Sequence, residues 1–178
     1  MPPKRPAAPR RISPTRAVCR RLGIPYHVYN FKDNFAENVI GRFIRAYETG
    51  STPNPCIDCN RYIKFEKLLV RAEELGFDCV VTGHYASVAH DEGTGRYLLK
   101  KAADPAKDQS YVLYSLTQRQ LAHTVFPLGG LTKEETRAIA EANGFLNARK
   151  RDSQDICFVP DGDYAAFIEG YTGKPYPK

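Results

Sequence analysis

The sequence predicts an α/β domain with a mostly parallel sheet. Segments with apolar residues at helical spacing alternate with short aromatic or β-branched runs. Helix stop signals separate them, foremost Gly23, Gly76 and Asn143-Gly144. In such sheets, sites lie beyond the carboxyl ends of strands, so the residues directly after a strand carry most interest.

Each element has its own signal. Ser13-Pro14 supplies an N-cap and a proline at the first helical position, and Gly23 closes that helix. Pro25–Phe31 is aromatic and β-branched enough for a strand. Phe35, Val39, Ile40, Phe43, Ile44 and Tyr47 then recur at helical spacing. Gly50-Ser51-Thr52-Pro53-Asn54-Pro55 breaks that helix. Another is expected from about Tyr62 to Leu75, with Phe65, Leu68, Leu69 and Ala72 on one face. Phe77–Thr82 reads as a short buried strand, and Gly83-His84 follows it directly. A hairpin spans Ala86–Lys100, turning at Asp91-Glu92-Gly93-Thr94-Gly95. Two short helical stretches fall near 108–115 and 117–123. Thr132 and Glu135 make a capping box for a helix ending at Asn143-Gly144. Residues 158–178 are too few for a further domain.

With 178 residues, 42% hydrophobic and 26% charged, the chain suits one soluble domain with a core. No apolar run approaches the roughly 20 residues that span a bilayer. The basic start lacks the apolar stretch of a signal peptide. Lys4, Arg5, Arg10, Arg11, Arg16, Arg20 and Arg21 account for the net charge of +6, so the remainder is nearly neutral. That excludes a broad basic surface and leaves local clusters: Arg96, Lys100, Lys101 and Lys107, then Arg149, Lys150 and Arg151. Residues 1–12 are Pro/Arg-rich and read as a disordered basic tail. Their prolines argue against the amphipathic helix of a transit peptide. Five cysteines without a secretion signal point to a reducing, cytoplasmic compartment.

The strongest chemical feature is Pro53-Asn54-Pro55-Cys56-Ile57-Asp58-Cys59-Asn60. A helix follows within a few residues, and a thiol at a helix N-terminus is expected to have a lowered pKa. A C-x-x-C pair can exchange disulfide, hold a metal or be incidental, and spacing alone leaves all three open. Cys157 follows a basic cluster in Ser153-Gln154-Asp155-Ile156-Cys157-Phe158; a lone cysteine is more often a small buried hydrophobe. Cys79 reads as that, inside an apolar strand, and Cys19 has no evident partner. His84 stands out from His27, His90 and His123 only by its place after a strand. Asp104-Pro105-Ala106-Lys107-Asp108-Gln109-Ser110 is either an ordinary capped loop or a segment able to bond phosphates and base edges. Neither G-x-G-x-x-G nor G-x-x-x-x-G-K-[ST] occurs.

As an ordered set these segments resemble one family. T-P-N-P-C-I-D-C-N-R-Y-I-K-F at 52–65, T-G-H-Y-A at 82–86, K-D-Q-S-Y-V-L-Y at 107–114 and S-Q-D-I-C-F at 153–158 resemble the tRNA-specific 2-thiouridylases (the MnmA/TrmU family) from about Thr15 to Ile168. The resemblance implies an adenine-nucleotide-hydrolase-like (PP-loop, Rossmann-like) sheet domain. It also implies a reaction in which ATP adenylates the C2 oxygen of the wobble uridine of tRNA and a persulfide sulfur displaces AMP. Position by position, it implies Cys59 as nucleophile and Cys157 as persulfide carrier, forming a transient disulfide. Gly83 matches an ATP contact. Asn54, Pro55 and Cys56 match the stretch that touches the target base, and His84, Lys107, Asp108 and Gln109 match tRNA contacts. A sulfur-donor protein, a cysteine desulfurase or sulfur relay, is implied as partner.

The resemblance has three departures. The family's first strand and S-G-G-x-D-S phosphate loop have no counterpart here, so the sheet is expected to be incomplete. Residues 13–160 then form a partial catalytic domain and 161–178 the start of a truncated C-terminal region. Position 56 is Asp in many members and Cys here, giving three thiols, Cys56, Cys59 and Cys157, that could ligate an iron–sulfur cluster. Two rival readings remain: a non-catalytic metal- or cluster-binding module that contacts RNA, and a thiol–disulfide oxidoreductase using Cys56 and Cys59.

Overall fold

A computed structural model describes residues 14–145, 148–149 and 156–175. The tail at 1–12, the cap at Ser13, Lys150-Arg151 and Ser153-Gln154-Asp155 lie outside the described residues.

Helix α1 (Pro14–Leu22) ends where the periodicity places its stop, with Gly23 left-handed at φ 67°. Residues 24–31 form no strand, contrary to expectation. The chain is extended there: His27, Tyr29 and Phe31 line up on one side with successive ring centroids 6.3 Å apart. However, no described strand pairs with it, and Val28 is 78% exposed. A β-prone composition gives the shape but does not supply a partner.

Helix α2 runs without a break through Lys32–Phe35, a π-helical stretch Ala36–Ile40, and Gly41–Glu48. Val39, Phe43 and Ile44 form its buried face, as the spacing predicts. Helix α3 starts earlier than expected. It begins at Pro55 rather than Tyr62 and continues through Pro55–Asp58, the π-helical Cys59–Lys67 and Leu68–Glu74. Pro55 occupies the first helical position, where its missing N–H costs nothing, and Asn54 Oδ1 accepts from Cys56 N–H at 3.1 Å as the N-cap.

Strand β1 is only Val80–Val81, shorter than the expected 77–82 run. It pairs in parallel with β4 (Thr124–Val125), Val80 beside Thr124 and Val81 beside Val125. Val80 is buried, but Val81 and Phe77 are about 60% exposed, so this strand is covered on one face only. Cys79 is likewise half-buried rather than buried. The hairpin β2 (Ala86–Asp91) and β3 (Arg96–Lys101) forms as read, in antiparallel register. Among the described residues the sheet content is therefore one parallel and one antiparallel pair. A 3₁₀ turn at Ser110–Val112 and α4 (Gln118–Ala122) follow, then β4, too short to leave a sequence signal. Helix α5 (Lys133–Ala142) carries the expected capping box and a left-handed Gly144. Helix α6 (Tyr164–Thr172), capped by Asp163, was not anticipated.

Two apolar clusters hold these parts. The larger joins Phe65 and Leu69 of α3 to Val80, Ala86, Val112, Leu113, Leu121 and Phe126. The smaller joins Phe43 and Ile44 of α2 to Ile168 of α6, with Phe158 and Phe167 packed against it. A close approach fixes the loop after β4: a Cβ at Gly129 would lie 2.0 Å from Ala86 O, so only glycine fits.

Candidate functional site: a thiol-rimmed cleft

An open cleft of about 440 Å³ lies where the start of α3 meets the carboxyl end of β1 and the Ser110–Val112 turn. Pro53, Asn54, Pro55, Cys56, Asn60 and Lys64 form one wall. His84, Gln109, Tyr111 and Val112 face them, and Ile156 and Tyr164 close one side. The cleft is built by ties between distant segments. Asn60, 1% exposed, donates from Nδ2 to Val112 O at 3.0 Å, joining α3 to the turn. Arg42 Nε donates to Asp58 Oδ1 at 3.1 Å, joining α2 to the first turn of α3. Phe158 inserts edge-on between Phe35 and Phe43, at 5.7 and 5.3 Å, which anchors the neighbouring Cys157.

Cys56 and Cys157 are exposed and Cys59 is half-buried, and none is in a disulfide. About a hundred residues separate Cys157 from the other two in sequence, yet its charge acts on both. Burial pushes the Cys56 and Cys59 thiols above their ordinary value. The Lys64 ammonium pulls them back, and repulsion from Cys157 adds to the rise. This reverses the expected direction: desolvation outweighs the favourable helix terminus. At rest both are protonated near neutral pH.

The other expected site residues divide into two groups. Asn54, Pro55, His84 and Gln109 line the cleft with Cys56. Gly83 is exposed between β1 and His84, outside the cleft wall. Lys107 and Asp108 lie off the wall. Asp108 serves the loop itself: Oδ1 accepts from Ala102 N–H at 2.8 Å and Oδ2 from the Ser110 hydroxyl at 2.7 Å. Burial opposes its charge, but those hydrogen bonds hold it below the usual carboxylate value. Gln109 is locked by two bonds to Tyr85, one through its backbone N–H and one through Oε1. His84 is 8% exposed. Its Nδ1 lies 2.7 Å from Thr82 Oγ1 and its Nε2 3.5 Å from Lys64 Nζ.

Lys64 and Asn60 escaped the sequence reading. Both lie inside the 52–65 segment, but helical numbering from Tyr62 gave no reason to turn them toward the cysteines. The described residues contain no group of three or more His, Cys, Asp or Glu side chains placed to hold a metal.

A small α/β domain with a cleft at the carboxyl end of a parallel strand belongs to the class of open α/β folds that place their sites there. Residues 3–161 match the family described as the tRNA methyl transferase HUP domain, and the chain belongs to that family. It is 53% identical over 163 residues to a protein of Lachnoclostridium phytofermentans called tRNA-specific 2-thiouridylase MnmA, covering 92% of this chain and 45% of that one. A protein of the same name from Geotalea uraniireducens is 54% identical over 163 residues, 92% of this chain and 43% of its own. A third, from Symbiobacterium thermophilum, is 54% identical over 159 residues, 89% and 41% respectively. The chain thus spans less than half the length of these relatives. No described helix is long and apolar enough to cross a membrane.

Proposed function

We propose that this chain carries the sulfur-transfer end of a tRNA 2-thiouridylase. The supporting observation is that Cys157 lies close enough to act electrostatically on both Cys56 and Cys59, about a hundred residues away in sequence, beside a cleft that Cys56 and the preceding Ile156 line. The substrate is the wobble uridine of tRNA, activated at its C2 oxygen by adenylation from ATP. Gly83, beyond β1, is the chain's contact toward the nucleotide. Cys157 receives its outer sulfur from a donor protein, a cysteine desulfurase or sulfur relay. The outer sulfur attacks C2, the C2–O bond breaks, and AMP leaves with the electron pair. The Cys59 thiolate then attacks the inner sulfur of Cys157. The S–S bond breaks, the thiolated base departs, and a Cys59–Cys157 disulfide remains for an external thiol to reduce. Residues 13–160 form the catalytic portion, and the segment beyond begins a further tRNA-binding region. Lys107, Asp108, Gln109 and His84 shape the tRNA face, Asp108 by holding its loop. The setting is cytoplasmic.

The test is persulfide trapping. The chain is incubated with a cysteine desulfurase and free cysteine, alkylated, and mapped by mass spectrometry. The expected result is one added sulfur on the Cys157 peptide in the wild type and in Cys59→Ser, and none in Cys157→Ser. Sulfur on Cys56 alone, or on no cysteine, would remove the proposal. An anaerobic absorbance spectrum with iron and sulfide analysis addresses the cluster reading; a brown, iron-bearing protein that loses its colour in Cys59→Ser would replace this mechanism.

A further inference from the structure

Lys64 stands where an anion would be held, and the fold spends several groups on keeping it there. It lies on the π-helical stretch of α3, in which residues five apart close a turn. Cys56, Asn60 and Lys64 follow one another at steps of four along α3 and all three line the cleft, so the ammonium stands on the side of the helix that bears the Cys56 thiol.

Its partner is a histidine in a defined state. An ammonium can only donate, so His84 Nε2 accepts from Lys64, and the ring proton sits on Nδ1, facing Thr82 Oγ1. The ring is buried, and its burial and the Lys64 charge together hold its pKa down to about 4. At neutral pH His84 is therefore an uncharged acceptor that orients the ammonium without competing for anions. No described carboxylate pairs with Lys64, and Asp58, in the first turn of α3, is taken by Arg42. The groups that feel the Lys64 charge are Cys56, Cys59 and His84.

We propose that Lys64, oriented by the Thr82–His84 pair, is the positioning cation of the cleft and holds sulfur anions at Cys56 and Cys59. The inference rests on the sulfur-transfer reading for its purpose, but the field it describes can be measured without turnover.

The probe is a pair of alkylating agents, anionic iodoacetate and neutral iodoacetamide, with rates read at the Cys56 and Cys59 peptides. Both consume thiolate, so their rate ratio cancels the thiolate fraction and reports local charge. Lys64→Met should lower the iodoacetate-to-iodoacetamide ratio about threefold to tenfold, the effect of one unit charge a few ångströms away near a protein surface. Lys64→Arg should stay within about twofold of wild type, since the charge remains. His84→Ala should fall between them, and Cys19, remote in sequence and on α1, should not change. An unchanged ratio in a folded Lys64→Met variant overturns the proposal. If that variant does not fold, the wild-type ratio is compared at low salt and at about 1 M salt, where screening should lower it; salt independence overturns the proposal equally. Failure of persulfide trapping on Cys157 would remove the sulfur-transfer reading and leave this ratio intact, so the two outcomes are distinguishable.

Discussion

Acidification should destabilise this protein through His84 before its carboxylates contribute. In the fold the ring is buried beside the Lys64 ammonium, and its pKa falls from 6.5 to about 4. The unfolded chain takes up a proton near 6.5, whereas the folded chain resists until about 4. The unfolded state therefore binds more protons between those values, and stability falls as pH falls through the window. The His84 contribution is complete above 6.5 and fully lost below 4, a difference of about 3 kcal/mol, with about 2 kcal/mol already lost near pH 5. Urea unfolding at about pH 7.5 and about pH 5 reads it, comparing wild type with His84→Asn, which cannot titrate. Asp91, Asp108, Glu135 and Glu141 also sit below their ordinary values, but both proteins keep them and their effect cancels in the comparison. The wild type should lose about 2 kcal/mol more than the variant. An equal loss in both refutes the reasoning. If the variant does not fold, a histidine proton resonance assigned to His84 that titrates near 6.5 refutes it as well.

Two further perturbations test the frame around the cleft. Gly129→Ala places a Cβ 2.0 Å from Ala86 O and 2.3 Å from Ser87 Oγ, so the loop after β4 must move. A loss of about 3 kcal/mol or more is expected by denaturant unfolding, and a loss under about 1 kcal/mol would show that the loop yields freely. Thr132→Ala removes the side chain that accepts from Glu135 N–H at 3.2 Å and should cost about 1 kcal/mol. Arg149→Ala, which removes an exposed pair with Glu141, should cost less than about 0.5 kcal/mol in the same assay.

Signals confined to a few neighbouring residues were legible in the sequence. The apolar spacing from Phe35 to Tyr47, the Thr132–Glu135 box, the Asp91–Gly95 turn and the left-handed Gly23 and Gly144 all became structure where they were read. Strand identity at 25–31 was not legible, because pairing belongs to two segments and composition describes one. The start of α3 was missed because Pro53 and Pro55 were read as breakers, although proline also opens helices. The capping signal for α6 was present in Asp163 and Gly173 and was overlooked. Cys56 and Cys59 could be picked from spacing alone. The rise in their pKa could not, because burial depends on what the 156–159 segment and the Ser110–Val112 turn bring against them. Lys64 was hidden because the helix was expected to begin at Tyr62; once it begins at Pro55, the steps of four from Cys56 through Asn60 lead to Lys64.

The wide turn in α3 also sets the phase of everything after it. An α-helix advances about 100° per residue, so one residue more or fewer rotates all that follows by that angle. Here the N-terminal part of the helix presents Cys56, Asn60 and Lys64 to the cleft, while Phe65 and Leu69 face the larger apolar cluster. Deleting one residue between Cys59 and Lys64 would rotate one face against the other and break that arrangement. Either the phenylalanine and leucine would swing out of the interior, or the thiols would swing out of the cleft. The residue count between the two faces lets a single rigid rod satisfy two directions, one set by chemistry and one by packing. Changes in the length of this segment are therefore constrained more tightly than changes in its composition.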